Sequence, residues 1–377
     1  AVGYNAMGAN ATGYNNTAVG KNALDAITDG IRCTAVGMDA LTANTANRNT
    51  GLGWQAGLSL TSGAQNTFVG SNSASSATTG NYNTALGDSA LGTCTTGANN
   101  TAVGKSALIA STTASDNTAV GYNALTSATT DPQNTAVGRQ ALANLQGSSG
   151  LNTAIGRRAC FTLTTGASNV AVGGNAMDQS TTADNNVAVG VNALTSNTTG
   201  GDNTAVGFSA LDACATGSNN AAVGLYAGKS TTSGSYNVMI GRNAMYTTTT
   251  GDENVAVGYN ALYNHTTSND NVCVGSNAGA SVTSGVNNLL LGHESGRSTA
   301  PSGAVTTGNN VVCLGDNSIT DLYCADTSIS SSDERDKTDI EAFNHGLDWI
   351  KKLEPITYRW DKRAWYVDDP DTPQNEG

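Results

Sequence analysis

The chain is short of charge. Lys, Arg, Asp and Glu make up 12% of its 377 residues, about half the ~25% of an ordinary domain. Aromatic residues are 5%, so a wide core of large side chains is excluded and many small residues must fill a narrow one. No run of 18 apolar residues occurs, which excludes a membrane-spanning helix. Lys and Arg number 17 against 29 Asp and Glu, a net charge of −12, and no basic cluster interrupts the first 332 residues. The electrostatic footprint of a nucleic-acid-binding surface is therefore missing. The three histidines, His265, His293 and His345, are too scattered for a metal cluster or a triad. Seven cysteines are present, an odd number with no CxxC pair. They read as small buried thiols made in a reducing cytosol, and neither a metal site nor a cofactor is expected. The glycines recur at a fixed period and form no phosphate-binding loop.

What charge there is gathers at one end. Residues 333–377 hold seven Lys/Arg and twelve Asp/Glu, leaving ten and seventeen for everything before them. Composition therefore breaks near Ser332.

Before that break the chain is a repeat. The motif NTAVGxNAL recurs, and its Gly falls at 3, 20, 37, 53, 70, 87, 104, 121, 138, 156, 173, 190, 207, 224, 241, 258, 275, 292 and 315. The step is 17 residues, with one of 16, one of 18 and a last one of 23 that carries an insertion around Ala300–Val305. Gly20, Gly37, Gly70, Gly104, Gly138, Gly173, Gly207 and Gly258 represent this turn column, where Gly permits a turn or a close backbone approach. Four residues earlier stands an Asn column, with Asn16, Asn66, Asn83, Asn100, Asn117, Asn134, Asn169, Asn203 and Asn254 among its members and Cys33 as the one exception between Gly20 and Gly292. Stacked Asn amides are expected to bond to one another and to turn backbone. The opening AVGYNAM reads as the middle of a repeat, so a longer parent chain is expected.

Each repeat predicts strand, turn, strand, turn. Counting from the Gly, Thr or Val at −3 and Val, Ile or Leu at −1 share one face of a strand and are expected to point into the core, leaving Ala at −2 outside. Ala at +3 and Leu or Met at +4 are expected to re-enter the core. The TTG and TSG segments are turn chemistry. Seventeen residues suit one coil of a solenoid and are too few for a helical repeat unit. The reading is all-β: a parallel β-solenoid or β-roll of about eighteen coils, ~85 Å long at the usual strand spacing. So thin a coil, with small residues expected outside, implies self-association.

NTAVGxNAL resembles the repeats of the left-handed parallel β-roll in YadA-like trimeric adhesin heads, and similar repeats in phage tail fibres. The resemblance covers residues 1–319 and implies a homotrimer. The familiar adhesin repeats are somewhat shorter, so the cross-section is expected to differ.

A Ser-rich connector follows at 320–332, and then SDERDKTDIEAFNHGLDWIKKLEPITYRWDKRAW. Ile340, Phe343, Leu347, Ile350 and Leu353 keep helical spacing up to Pro355, and Ile356–Trp360 alternates like a strand. The segment resembles the start of the self-cleaving C-terminal intramolecular chaperone of endosialidase-type phage tail spikes, matching at Ser332-Asp333, Arg335, Lys337, Asp339-Ile340, Leu347, Leu353-Glu-Pro355 and Tyr358-Arg-Trp360. Residues 333–377 would be the N-terminal part of that domain. The resemblance implies one autoproteolytic cut at or beside Ser332 and Asp333, with Ser332 as nucleophile and Lys337 as its base, a role that needs a depressed lysine pKa. Asp336 departs from the apolar residue usual in the family.

The function that follows is the structural and adhesive shaft of a viral tail fibre. It would be assembled in the host cytoplasm, carried on the virion, trimerised by its C-terminal chaperone and turned toward a host surface glycan or protein receptor. No turnover enzyme, nucleic-acid partner or membrane insertion is expected. The alternatives are a bacterial trimeric adhesin head, which predicts a membrane-anchor β-barrel downstream, and an ice-binding solenoid, disfavoured if the Thr at −3 points inward.

Overall fold

A computed structural model describes residues 1–147 and 150–321. Ala1–Thr320 form one compact unit. It holds eighteen strands of three residues each, from β1 (Thr17–Val19) to β18 (Val312–Leu314). Each strand pairs in parallel with the next one in sequence, giving a single eighteen-stranded sheet. No helix occurs among the described residues. The all-β parallel solenoid read from the period is the fold.

The register is set residue by residue. Thr17, Ala18 and Val19 of β1 face Thr34, Ala35 and Val36 of β2 (Thr34–Val36). The match survives the long last step: Leu289 of β17 (Leu289–Leu291) faces Val312, with Ala300 and Val305 of the insertion tucked into the interior. Backbone bonds between coils also continue past the strands, as from Leu24 N–H to the Ala40 carbonyl (3.1 Å) and from Ala26 N–H to the Thr42 carbonyl (2.9 Å).

The strand faces are the reverse of the expectation. Ala at −2 is inside: Ala18, Ala35, Ala102, Ala119 and Ala188 are all buried. Thr at −3 and Val at −1 point outward, in the burial pattern that every strand shares. A three-residue strand presents only one residue to the lumen. Asn at −4 is also buried, and the two-residue period then forces −2 to the same side. The lumen is narrow enough for Ala, and the larger Thr and Val go outside. The threonine objection to ice binding, that these hydroxyls face inward, falls with this correction, as does the idea that small outward alanines let chains approach.

The second inward pair lies where it was expected. Ala23, Leu24, Ala107, Leu108, Ala193 and Leu194 are buried. Leu24, Leu108 and Leu194 sit at φ of 54, 52 and 53°, a left-handed conformation. That conformation costs about 1–2 kcal/mol for a residue with a Cβ. Burying the leucine side chain returns about 1.5–3 kcal/mol, so packing wins in each coil.

The anchor glycines have no such latitude. Gly104 and Gly138 have φ of 130 and 136°. A Cβ on Gly104 would lie 2.6 Å from the carbonyl oxygen of Gly121 in the next coil. Gly20, Gly37, Gly70, Gly173, Gly207 and Gly258 repeat that conformation and that close approach.

Candidate functional site

Three arrays run along the solenoid. The first is internal. Asn66 Oδ1 accepts the backbone N–H of Asn83 at 2.8 Å, while its Nδ2 donates to the Gly80 carbonyl (2.9 Å) and to Asn49 Oδ1 (3.2 Å). Every polar atom of this buried amide has a partner, so its desolvation is offset. Asn16, Asn83, Asn100, Asn117, Asn169, Asn203 and Asn254 likewise tie their own turn to the next coil. Asn134 donates instead to the Pro132 carbonyl at 2.9 Å. Where Cys33 interrupts the column, its thiol donates to the Ala46 carbonyl (3.2 Å), and Asn44 supplies the acceptor that Asn49 Nδ2 would otherwise lack (2.9 Å).

The second array went unread in the sequence. In most coils a Thr of the TTG or TSG turn donates its hydroxyl to the backbone carbonyl of the equivalent residue in the next coil: Thr61 to Thr78 (3.0 Å), Thr78 to Thr95 (3.0 Å) and Thr95 to Thr112 (3.1 Å). Turn propensity accounts for a polar residue there. The recurrence of Thr at this position, interrupted at Ala11, Gln146 and Ala215, was the signal for a ladder.

The third array is the outward strand face. Val36, Leu86, Val189, Ile240 and Val274 at −1 are exposed large apolar residues. At −3 the residue is Thr in all of the first nine strands and Val, Ala or Leu in most of the later nine. The face thus grades from Thr–Val to Val–Val toward β18. It is a parallel sheet surface with no covering element among the described residues.

Ionisable groups inside the coils are few. Cys33, Cys94, Cys160, Cys214, Cys273 and Cys313 are buried and free. Burial pushes the thiols of Cys94 and Cys214 up to about 11 and that of Cys160 to about 12, so none of these three is a ready nucleophile. His265 is buried between Thr248 Oγ1 (3.0 Å) and Ser268 Oγ (2.8 Å), and burial lowers its pKa to about 4. Outside, Phe208, Tyr226, Tyr246 and Tyr263 form a row with centroid spacings of 5.5, 6.1 and 5.2 Å, capped by Lys229 at 4.7 Å from the Tyr226 ring. These rings pack on one another, which makes them a ladder and not an open platform. No three metal-ligating side chains converge among the described residues, and those residues form no helix that could cross a membrane.

Ser332, Asp333 and Lys337 lie outside the described residues, as do Cys324 and His345. Sequence comparison addresses that end of the chain. Residues 332–375 match the family model described as the chaperone of endosialidase. The match to this chaperone begins at the serine singled out as nucleophile and covers only the tail. Neither the curated proteins nor the solved structures contain a match to the chain. The stacked coils and the chaperone start stand in the order expected of a phage tail fibre.

Proposed function

We propose that the chain is part of the shaft of a trimeric viral tail fibre that attaches to a host cell surface. One observation carries this reading: a solenoid with an uncovered apolar strand face along its length runs directly into the start of an endosialidase chaperone. A face of exposed Val, Ile and Leu asks for a partner, and a trimerising chaperone supplies two further copies. The strand face toward the threefold axis would bury that surface and leave the turns outside, where a glycan or protein receptor is met.

The chemistry of the chaperone would be a single cut. Ser332 Oγ attacks a neighbouring backbone carbonyl, Lys337 takes the hydroxyl proton and passes it to the leaving amine, and water hydrolyses the resulting ester. The test is expression of the gene's full reading frame. Light scattering of the shaft is expected to give three times the mass of the released shaft chain. A denaturing gel is expected to show two fragments, and Ser332→Ala a single band. One uncut band from the unmodified protein removes the cleavage, and a monomer mass removes the fibre.

A further inference from the structure

The outward strand face has two differently charged edges. Positions −5 and +1 lie just beyond the two ends of the three-residue strand, and their charged residues are exposed. From β6 (Thr101–Val103) to β16 (Val272–Val274) the +1 edge carries Arg139, Arg157 and Arg242, together with Lys105. Over the same coils the −5 edge carries Asp116, Asp202, Glu253 and Asp270, and no Lys or Arg. Arg139, Arg157 and Arg242 make no ion pair within the described residues. Arg157 donates to Asn175 Oδ1 (3.2 Å), and Arg242 lies 5.9 Å from the Tyr259 ring. Lys105 is the one that is internally matched, to Asp88 at 3.5 Å. The first coils differ, with Arg32 and Arg48 at −5.

We propose that the partner seated on this face is a second copy of the chain running in the same direction, joined basic edge to acidic edge. The inference rests on the fibre reading, whose threefold axis already sets the copies parallel, and adds the contacting edges. Symmetry supplies the reason. When copies are related by an axis parallel to the solenoid, the +1 edge of each meets the −5 edge of its neighbour. When two copies run antiparallel with their strand faces together, each edge meets its own kind, Arg on Arg and Asp or Glu on Asp or Glu. The same charges therefore favour the parallel assembly and oppose the antiparallel one. The heights agree. With the copies level, Arg139 after β8 (Thr135–Val137) is one rung from Asp116 before β7 (Thr118–Val120). Arg242 after β14 (Val238–Ile240) is one rung from Glu253 before β15 (Val255–Val257). One rung is about 4.8 Å, within reach of an arginine. Strand apolarity alone gives no such polarity, because Val on Val is equally good in either direction.

The experiment is charge reversal in the full chain at low ionic strength, read as mass by light scattering, with circular dichroism as the folding control. Arg139→Glu with Arg242→Glu, or Asp116→Arg with Glu253→Arg, is expected to raise the concentration needed for assembly by at least about tenfold. All four changes together are expected to restore it. A wild-type trimer indifferent to either reversal, or four changes that fail to restore assembly, overturns the edge pairing and leaves the fibre reading standing. A wild-type protein, expressed from the full reading frame, that stays at the mass of a single shaft chain overturns both.

Discussion

The ring of Phe68 fills the space that Gly57 leaves empty: a Cβ on Gly57 would lie 2.7 Å from Phe68 Cδ2. Gly57 stands at +4, where most coils have Leu, and Phe68 stands at −2 of the next coil, where most have Ala. Gly228 meets Met239 of the next coil in the same way, and within a single coil a Cβ on Gly296 would lie 2.6 Å from Leu290 Cδ1. Core volume is thus conserved between neighbouring coils while the residues that provide it change places. Gly57→Leu restores the prevailing residue yet is expected to destabilise by about 1–3 kcal/mol through overpacking. Adding Phe68→Ala is expected to recover most of that loss. Denaturant midpoints of the two variants check it, and equal midpoints would refute the exchange.

Asn100 illustrates what the amide column contributes. Its Oδ1 accepts the Asn117 N–H (3.1 Å) and its Nδ2 donates to the Ala114 carbonyl (2.9 Å). Asn100→Ala leaves both backbone groups buried and unpaired, at about 1–3 kcal/mol each. Asn100→Cys is expected to cost less, because Cys33 already fills that slot with its thiol bonded to a turn carbonyl. Chemical denaturation ranks the three proteins, and a cysteine variant no better than alanine contradicts the account.

His265 couples stability to pH. Burial holds its folded pKa near 4, below the ordinary 6.5. The unfolded chain therefore takes up a proton first as pH falls. The stability contributed by neutral His265 is complete above pH 6.5, declines from there toward pH 4, and is gone below that. The full difference is roughly 3 kcal/mol. Asn197 occupies the equivalent position four coils away as two hydrogen-bonding groups bound to its own turn at Gly200. His265→Asn is accordingly expected to flatten the stability profile between pH 6.5 and 4. A profile unchanged by that substitution would assign the acid sensitivity elsewhere.

Adjacent residues on one strand separate folding from assembly. Ala188 is buried and Val189 is exposed. Ala188→Asp places a charge in the lumen and is expected to cost several kcal/mol, enough to melt the neighbouring coils. Val189→Asp is expected to leave the circular dichroism spectrum intact while lowering the mass of the assembly. The opposite ranking would restore the inward-facing Val first read from the sequence.

The period, the parallel stacking, the Asn and Gly columns and the inward Leu were legible in the sequence, because a 17-residue repeat returns each residue to the same environment. The chaperone start was legible too, from matches such as Leu353-Glu-Pro355, although the Ser332–Lys337 pair rests on spacing and resemblance alone. Which side of the Thr-Ala-Val strand faces inward was misread. Residue size suggested one answer, and the buried Asn two residues before the Ala, had it been used, gives the other. Three relationships only the tertiary structure decided: the pairing of Gly57 with Phe68, the threonine ladder and the two charged edges. Each joins residues on different coils or across one face, and a linear period records which residues recur but not which side of the wall they stand on.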